Sequence, residues 1–504
     1  MPLCGRLLGC AGIAVFFLMS TPLRAADWSI KPRLSVVETY TDNLRLAPDG
    51  QQEHDTITQL NPGLSVDGDG RRVKLNANYN MQNVIYSDHS SQNSTHNQFS
   101  GSLSSELIKD WFYLDWKGSY SQRLLAPQKG VATDNLNIVP GSRGNVTATS
   151  ITPRIKRDLG RDMTLDLADT EGRVYYGGNG LTDTGTQDLS FSFERSRSAG
   201  LDWRLQARDR KTKRNGANDF ESRGTEGRIG LPILPDTRFV AYAGYEDGSI
   251  SSSRTFNSGN YWSAGIFWQP SPKLSLELTN GDKDKQGRLY YAPTSRTSLS
   301  ASYVARDVGV RPGSTWIADV SHHTRHSVWS LGYSKQLSSD AILAVTGVTP
   351  QVLTINGQPV FDQQLQPVIE YVPQLEIVNE EFVRAATTAG VSYSRAKSSI
   401  NLRLKDETRD YELTKRHAES KSAYLGMNWK FASRTALDYS HNQTITNDAN
   451  FGEYTTKVDT ISINRRVNPA TTAQLSWRQA KVDQLSLAHN YNEKRVFASL
   501  TISF

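Results

Sequence analysis

The sequence predicts an all-β protein, a transmembrane antiparallel β-barrel with an even number of strands, roughly 20–24 of them. Three observations predict it. Segments of strand length alternate apolar and polar side chains with a period of two, so each shows one greasy and one polar face. Short turns and longer polar loops take turns between those segments. The alternation runs to the last residue in Arg495–Phe504, where Val496, Ala498, Leu500, Ile502 and Phe504 interleave with Phe497, Ser499, Thr501 and Ser503. The chain has 504 residues, 37% of them hydrophobic, and a mean hydropathy of -0.52. A helical membrane protein is excluded, because the one long apolar run is Leu7 to Ser20 and it is too short to span a bilayer.

That run follows Arg6 and leads to Leu23-Arg24-Ala25-Ala26, the layout of a secretory signal peptide over residues 1–25, with cleavage after Ala25 or Ala26. Leu7-Leu8-Gly9-Cys10 resembles a lipoprotein box, but most of the apolar region follows Cys10 instead of preceding it, so lipidation is not expected. Both cysteines, Cys4 and Cys10, lie in the signal. An exported chain without cysteine is neither a disulfide scaffold nor a thiol enzyme. Removing Arg6 and Arg24 with no acid leaves a nearly neutral mature chain over residues 27–504, read as one barrel without linker or second domain. No plug precedes the first strand, which argues against a TonB-dependent receptor.

In chain order, Trp28 to Thr41 opens the wall with Ile30, Leu34 and Val36 on one face. Thr56 to Asp67 follows, then a tight Gly68-Asp69-Gly70 turn. Val73, Leu75, Ala77, Tyr79 and Met81 then alternate with Lys74, Asn76, Asn78, Asn80 and Gln82, a pattern no helix could bury. Short turns recur at Lys109-Asp110, Asp158–Arg161, Ser198–Gly200, Pro232–Asp236, Gln269–Pro272, Ala396-Lys397, Ala432-Ser433 and Val467–Ala470. Longer loops, such as Leu125–Gly144, Tyr176–Gly185, Asp247–Ser258 and Thr444–Gly452, lie between them. Val328–Lys335 and Ala341–Val348 read as strands. Thr349–Asn379 reads as a long external loop in which Pro359, Pro367 and Pro373 oppose regular structure; its length allows it to fold into the lumen as a constriction.

In lipid every backbone donor and acceptor needs a protein partner, so the sheet must close on itself, apolar outside and polar inside. Ala423, Leu425, Met427, Trp429 and Phe431 suit the outer face, opposite Ser422, Tyr424, Gly426, Asn428 and Lys430; Phe112, Leu114 and Trp116 do so opposite Asp115 and Lys117. The 21 Tyr, 16 Phe and 10 Trp suffice for two aromatic girdles. The inward phases collect Lys74, Lys117, Arg154, Lys156, Arg204, Arg208, Arg210, Arg384, Arg403, Lys405, Lys430 and Arg478. Inward acids on the same strands are fewer: Asp115, Asp166 and Asp202. A basic lining concentrates anions, so these residues are expected to favour anionic solutes, acidic polysaccharide included, unless they pair with acids across strands or on loops. Tyr113, Tyr242 and Phe497 are candidates to face the lumen, where rings stack on sugars or simply fill space.

The terminal strand, ending on a carboxylate and an aromatic residue, resembles the signal read by the outer-membrane insertion machinery, with Val496, Leu500, Ile502 and Phe504 carrying it. Three further stretches resemble the PEP-CTERM/exosortase-associated outer-membrane β-barrel family: Glu38-Thr39-Tyr40-Thr41-Asp42-Asn43-Leu44, Ala243-Gly244-Tyr245-Glu246, and Tyr261-Trp262-Ser263-Ala264-Gly265-Ile266-Phe267-Trp268-Gln269-Pro270-Ser271-Pro272. Where that family tends to carry Gly-Arg with an aromatic-Gly, this chain has Gly281-Asp282-Lys283-Asp284. The resemblance implies a Gram-negative outer-membrane barrel encoded with exopolysaccharide and protein-sorting systems. It supplies no catalytic residues.

No Gly-x-Ser-x-Gly elbow, P-loop or HExxH is present, and His322, His323 and His326 lack a nearby acidic or thiol ligand, so neither enzyme activity nor a metal or other cofactor is expected. Basic residues alternate along strands instead of clustering on a helix, which excludes the usual nucleic-acid surfaces. The expected role is a porin-like channel or an export component for exopolysaccharide or anionic solutes. Its expected partners are membrane lipid, the insertion machinery, the polymer and periplasmic export proteins. A structural or adhesive barrel with a filled lumen, and a lipid- or polysaccharide-modifying barrel, are the alternatives.

Overall fold

Period-two alternation becomes a wall of 24 strands. The computed structural model describes residues 26–124, 136–138, 143–177, 183–195, 200–214, 219–250, 257–309, 313–338, 344–352, 354–355, 358–359, 369–376, 382–411, 417–448, 452–484 and 490–504. The signal segment 1–25, Ser198 and Ala199, and most of the Leu125–Gly144 loop lie outside these residues.

The first strands are β1 (Ala26–Thr41), β2 (Asp55–Gly70), β3 (Val73–Tyr86), β4 (Ser94–Ile108), β5 (Phe112–Leu124) and β6 (Arg143–Leu159). Then come β7 (Met163–Gly177), β8 (Thr184–Arg195), β9 (Asp202–Arg214), β10 (Phe220–Leu234), β11 (Thr237–Ile250) and β12 (Gly259–Ser271). A shorter set follows: β13 (Leu274–Asp282), β14 (Asp284–Thr294), β15 (Thr297–Arg306), β16 (Gly313–His323) and β17 (Ser327–Ser338). The next connection holds β18 (Ala344–Val352), β19 (Thr354–Ile355), β20 (Gln358–Pro359) and β21 (Ile369–Glu376). The wall resumes with β22 (Phe382–Arg395), β23 (Ser398–Tyr411), β24 (His417–Ala432) and β25 (Thr435–Asp448), and ends with β26 (Gly452–Asn468), β27 (Thr471–Gln484) and β28 (Tyr491–Ser503). Every wall strand pairs antiparallel with its neighbours. β17 pairs directly with β22, and β28 pairs with β1 from Arg33↔Ser503 to Thr41↔Arg495. The sheet therefore closes and has no free edge, as a backbone in hydrocarbon requires. Phe504 adds an N–H bond to the Pro32 carbonyl at 2.9 Å, so the terminal residue itself belongs to the seam.

The two faces separate cleanly. Ile30, Val36 and Tyr40 on β1, Trp262, Ile266 and Trp268 on β12, and Met427, Trp429 and Phe431 on β24 are exposed. The opposite phase is polar and buried, as with Ser35 and Thr39 on β1 or Gln59 and Asn61 on β2. The buried phase also makes ion pairs between strands that are not neighbours, which only the inner face of a closed wall permits. The exposed apolar phase is thus the lipid face. Exposed Tyr40, Tyr175, Tyr245, Trp262 and Trp316 ring its long-loop end, and Trp111, Trp268, Tyr291, Trp329 and Trp429 its short-turn end, the two girdles of a membrane barrel.

Several turns sit a residue or two from where the sequence places them, because β-bulges close the short-turn ends of many hairpins, as at Pro232/Leu234, Trp268/Ser271, Trp429/Ala432 and Arg466/Asn468. Gly68-Asp69-Gly70 is not a turn: it extends β2 against Trp28, Asp27 and Ala26, and the turn is Arg71-Arg72. A Cβ on Gly68 would lie 2.7 Å from the Trp28 ring, so glycine there serves packing, not chain reversal. Thr349–Asn379 also differs from the expected irregular loop. β18 and β21 pair in a separate two-stranded sheet with Pro350 opposite Tyr371 and Pro373 opposite Val348, and β19 pairs with β20. Each strand of an isolated hairpin has an open edge, where a residue without an N–H costs nothing.

Candidate functional site

The expected lumen cations all share the inner phase of their strands, but acids on the facing strands meet most of them. Arg154 bonds Asp166 through Nε at 2.8 Å, and Lys156 stands in register with the same Asp166. Arg204 donates to Glu194 at 2.6 Å; Arg208 and Arg210 both donate to Asp188, at 2.8 and 3.0 Å. Lys405, Arg384 and Arg409 surround the buried Glu407 at 2.7, 2.7 and 2.6 Å. Arg478 lies 3.8 Å from buried Glu493, and Lys74 lies 3.3 Å from Asp69. Lys117, Arg403 and Lys430 face inward opposite Ser150, Tyr424 and the Lys397 turn. Of the two readings the sequence left open, pairing with acids across strands describes most of these bases. Reading one strand at a time misses the acids that register places beside most of these bases.

The densest part of the interior was not legible in the sequence. Arg306 on β15 donates to Asp284 on β14 at 3.0 Å, to Glu226 on β10 at 2.9 Å, and to Glu246 on β11, and its guanidinium lies 3.7 Å from the centre of the Tyr261 ring on β12. Five strand spacings of about 4.8 Å would separate β10 from β15 by roughly 24 Å along a smoothly curved wall, more than an Arg and a Glu can bridge. The wall is therefore bent sharply inward here. Inward-facing glycines allow the bend: a Cβ on Gly265 would sit 1.8 Å from the Leu278 carbonyl oxygen, and one on Gly244 would sit 2.4 Å from the Tyr261 hydroxyl. Lys283 alone joins β13 to β14, with a left-handed φ of 57°.

A second tier adjoins the first. Tyr242 donates to Glu277 at 2.7 Å and accepts from Arg228 at 3.0 Å and Arg288 at 2.8 Å; Asp202 pairs with Arg228 and, at 2.9 Å, with Arg238. Tyr242 is thus locked in a charge network and is not a free stacking platform. Beside the tiers opens a recess of about 570 Å³ lined by Arg154, Asp166, Arg208, Glu226, Tyr261 and Arg306, with Ser190, Ser192 and Gln206 between them. It brings two of the expected basic residues together with the cluster. The motif residues Glu246, Tyr261, Ser263 and Asp284 converge on the same spot, Ser263 donating to Asp284 at 2.6 Å. On β3 and β4 the interior is lined mainly by amides and hydroxyls, with Asn76, Asn78, Asn80 and Gln82 facing Ser102, Ser100, Gln98 and the His96 imidazole.

The segment 136–138 folds onto the inner face at the barrel seam. Asn137 donates to Glu493 at 2.8 Å, Tyr86 donates to the Leu136 carbonyl at 2.8 Å, and Leu136 packs with Leu44, Ile57, Val84 and Tyr86. The length of 349–379 allowed an inward fold there, whereas nothing in the sequence signalled one at 136–138.

The C-terminal residues Val496, Leu500 and Phe504 are exposed on the lipid face, and Ile502 shares their phase. His322 bonds Thr297 at 2.8 Å and His323 bonds Ser321 at 2.9 Å, so these two imidazoles engage hydroxyls at a turn.

No family model matches the chain. Among solved structures, the FrpB iron transporter from Neisseria meningitidis (F5-1 variant) superposes with a TM-score of 0.50 at 11% identity, over 96% of this chain and 83% of that one. The siderophore receptor PirA from Acinetobacter baumannii gives 0.46 at 10% identity, over 94% and 80%. The chain has the fold of a membrane-spanning β-barrel. A stretch of 78 residues, 16% of this chain, is 35% identical to 73% of a small aspartyl/glutamyl-tRNA(Asn/Gln) amidotransferase component from Prochlorococcus marinus (strain MIT 9515). So small a part of a 24-stranded wall assigns the chain no family.

Proposed function

We propose that this barrel sits in a bacterial outer membrane, delivered by its signal peptide and terminal strand, and passes a polar, hydroxyl-rich solute, with exopolysaccharide the class best matched. The observation that carries this reading is the charge-compensated recess at Arg306. Paired ions present donors and acceptors side by side with little net field, which suits hydroxyls better than a fixed-sign ion. The neutral amide and hydroxyl sector on β3 and β4 supports the same class. The resemblance to exosortase-associated barrels is consistent with this and remains part of the proposal, as do periplasmic export partners.

Conductance of the refolded full chain in a planar bilayer tests it. Open steps with weak ion selectivity, blocked by acidic or neutral oligosaccharides, are expected. Open steps insensitive to every oligosaccharide would remove the polysaccharide reading. A folded but silent barrel would favour the second reading, a filled lumen, for which the inward segment 136–138 and the bent β10–β15 wall argue.

A further inference from the structure

The turns that close the short end of the wall carry Arg71, Arg72, Arg161, Arg296, Arg325 and Arg434, all exposed. Among the described residues none of the six is in an ion pair, in contrast to the arginines inside the barrel. The acids of the same turns are already engaged. Asp162 pairs with Arg195 at 2.8 Å, Asp110 faces Lys109 at 3.8 Å, and Asp236 accepts from Thr237 at 3.1 Å and Trp268 at 3.2 Å. The opposite end has the other sign, with Asp42, Asp49, Glu53, Asp88 and Asp307 in its described connections.

Height decides what such a rim meets. Exposed Trp111, Trp268, Trp329 and Trp429 form the girdle on the lipid face immediately before these turns, and Arg157 lies 5.5 Å over the Trp111 ring. Girdle rings sit at the boundary of the hydrocarbon, so cations in the turns just beyond them, four residues from Trp329 at Arg325 and five from Trp429 at Arg434, stand at the level of phosphodiester groups. Unpaired cations at that level attract anionic lipids.

We propose that the short-turn rim is a binding belt for anionic phospholipid headgroups in the leaflet it crosses. The belt is continuous with the lipid face, whereas a soluble polyanion would need a surface set apart from lipid. It would fix the tilt and depth of the barrel and enrich acidic lipid around its turn end.

The test uses the full chain refolded into vesicles of phosphatidylcholine alone or with about a third phosphatidylglycerol. The wild type should show a higher midpoint of heat modification in the acidic vesicles, and high salt should erase the gain. Changing all six arginines to Gln should abolish the gain while leaving the midpoint in phosphatidylcholine unaltered. If that variant does not fold, quenching of wild-type tryptophan by brominated phosphatidylglycerol, compared with brominated phosphatidylcholine in the same mixture, reads lipid enrichment directly. Equal quenching by the two lipids overturns the proposal. So does a midpoint raised by soluble polygalacturonate but not by the acidic lipid, which would make the rim a polymer site.

Discussion

Arg306 holds three carboxylates from strands up to five positions away, and its removal should be felt more than that of any exposed cation. Arg306→Gln leaves Glu226, Glu246 and the fully buried Asp284 facing one another. Breaking a buried pair by deleting one partner costs about 3–5 kcal/mol, so the urea midpoint of the refolded variant should fall accordingly, and an unchanged midpoint would mean the cluster is solvated. His89 in the β3–β4 loop gives a pH-dependent counterpart. Its hydrogen bond to Asp55 at 2.8 Å, aided by Glu53 at 3.1 Å, raises its pKa above the usual histidine value. A raised pKa means the contribution is complete below about pH 6.5 and is lost as pH climbs through the folded-state value. Protection of the Ser87 and Asp88 amides, which bond Asp55, should therefore weaken as pH rises above about 6.5 in hydrogen exchange corrected for intrinsic rate.

At the scale of elements, β28 combines two duties: it closes the barrel against β1 and presents Leu500 to lipid, 43% exposed. Leu500→Arg puts a cation on that face and should destabilise the barrel by up to roughly 2–4 kcal/mol, depending on depth. Thr501→Arg, on the inner phase of the same strand, should cost much less; equal losses in refolding yield would contradict the assigned faces. The β12–β13 hairpin is limited by backbone approach instead. Gly265→Ala has no room beside the Leu278 carbonyl and should lower the yield of folded barrel sharply, whereas Gly185→Ala, with nothing within 4 Å, should not.

For the whole molecule, the distribution of charge matters more than its sum. Arg204, Arg208 and Arg210 neutralise Glu194 and Asp188 on the neighbouring strand. Changing the three to Ser should therefore do more than weaken an anion preference: it should turn the passage toward cations, read as a change in the sign of the reversal potential across a salt gradient. An unaltered potential would place these pairs off the permeation route. The outer surface follows the reverse logic, since among the described residues none of its six rim arginines is in an ion pair and they are available to the surrounding lipid.

Much of this was legible in the residues themselves. Period-two alternation assigns each side chain of Val73–Met81 or Ala423–Phe431 to one face, because neighbouring Cβ atoms on a strand point opposite ways. Alternating turn lengths then imply closure and an even count, and the final alternation to Phe504 marks the closing strand. Tertiary structure alone decided which acids meet the inward bases, because register between strands is set by pairing across the wall, not by order along one segment. It also decided that the wall bends at β10–β15 around Arg306, and that segment 136–138 rests against the seam. Those contacts join residues tens to hundreds of positions apart, and no local periodicity encodes them.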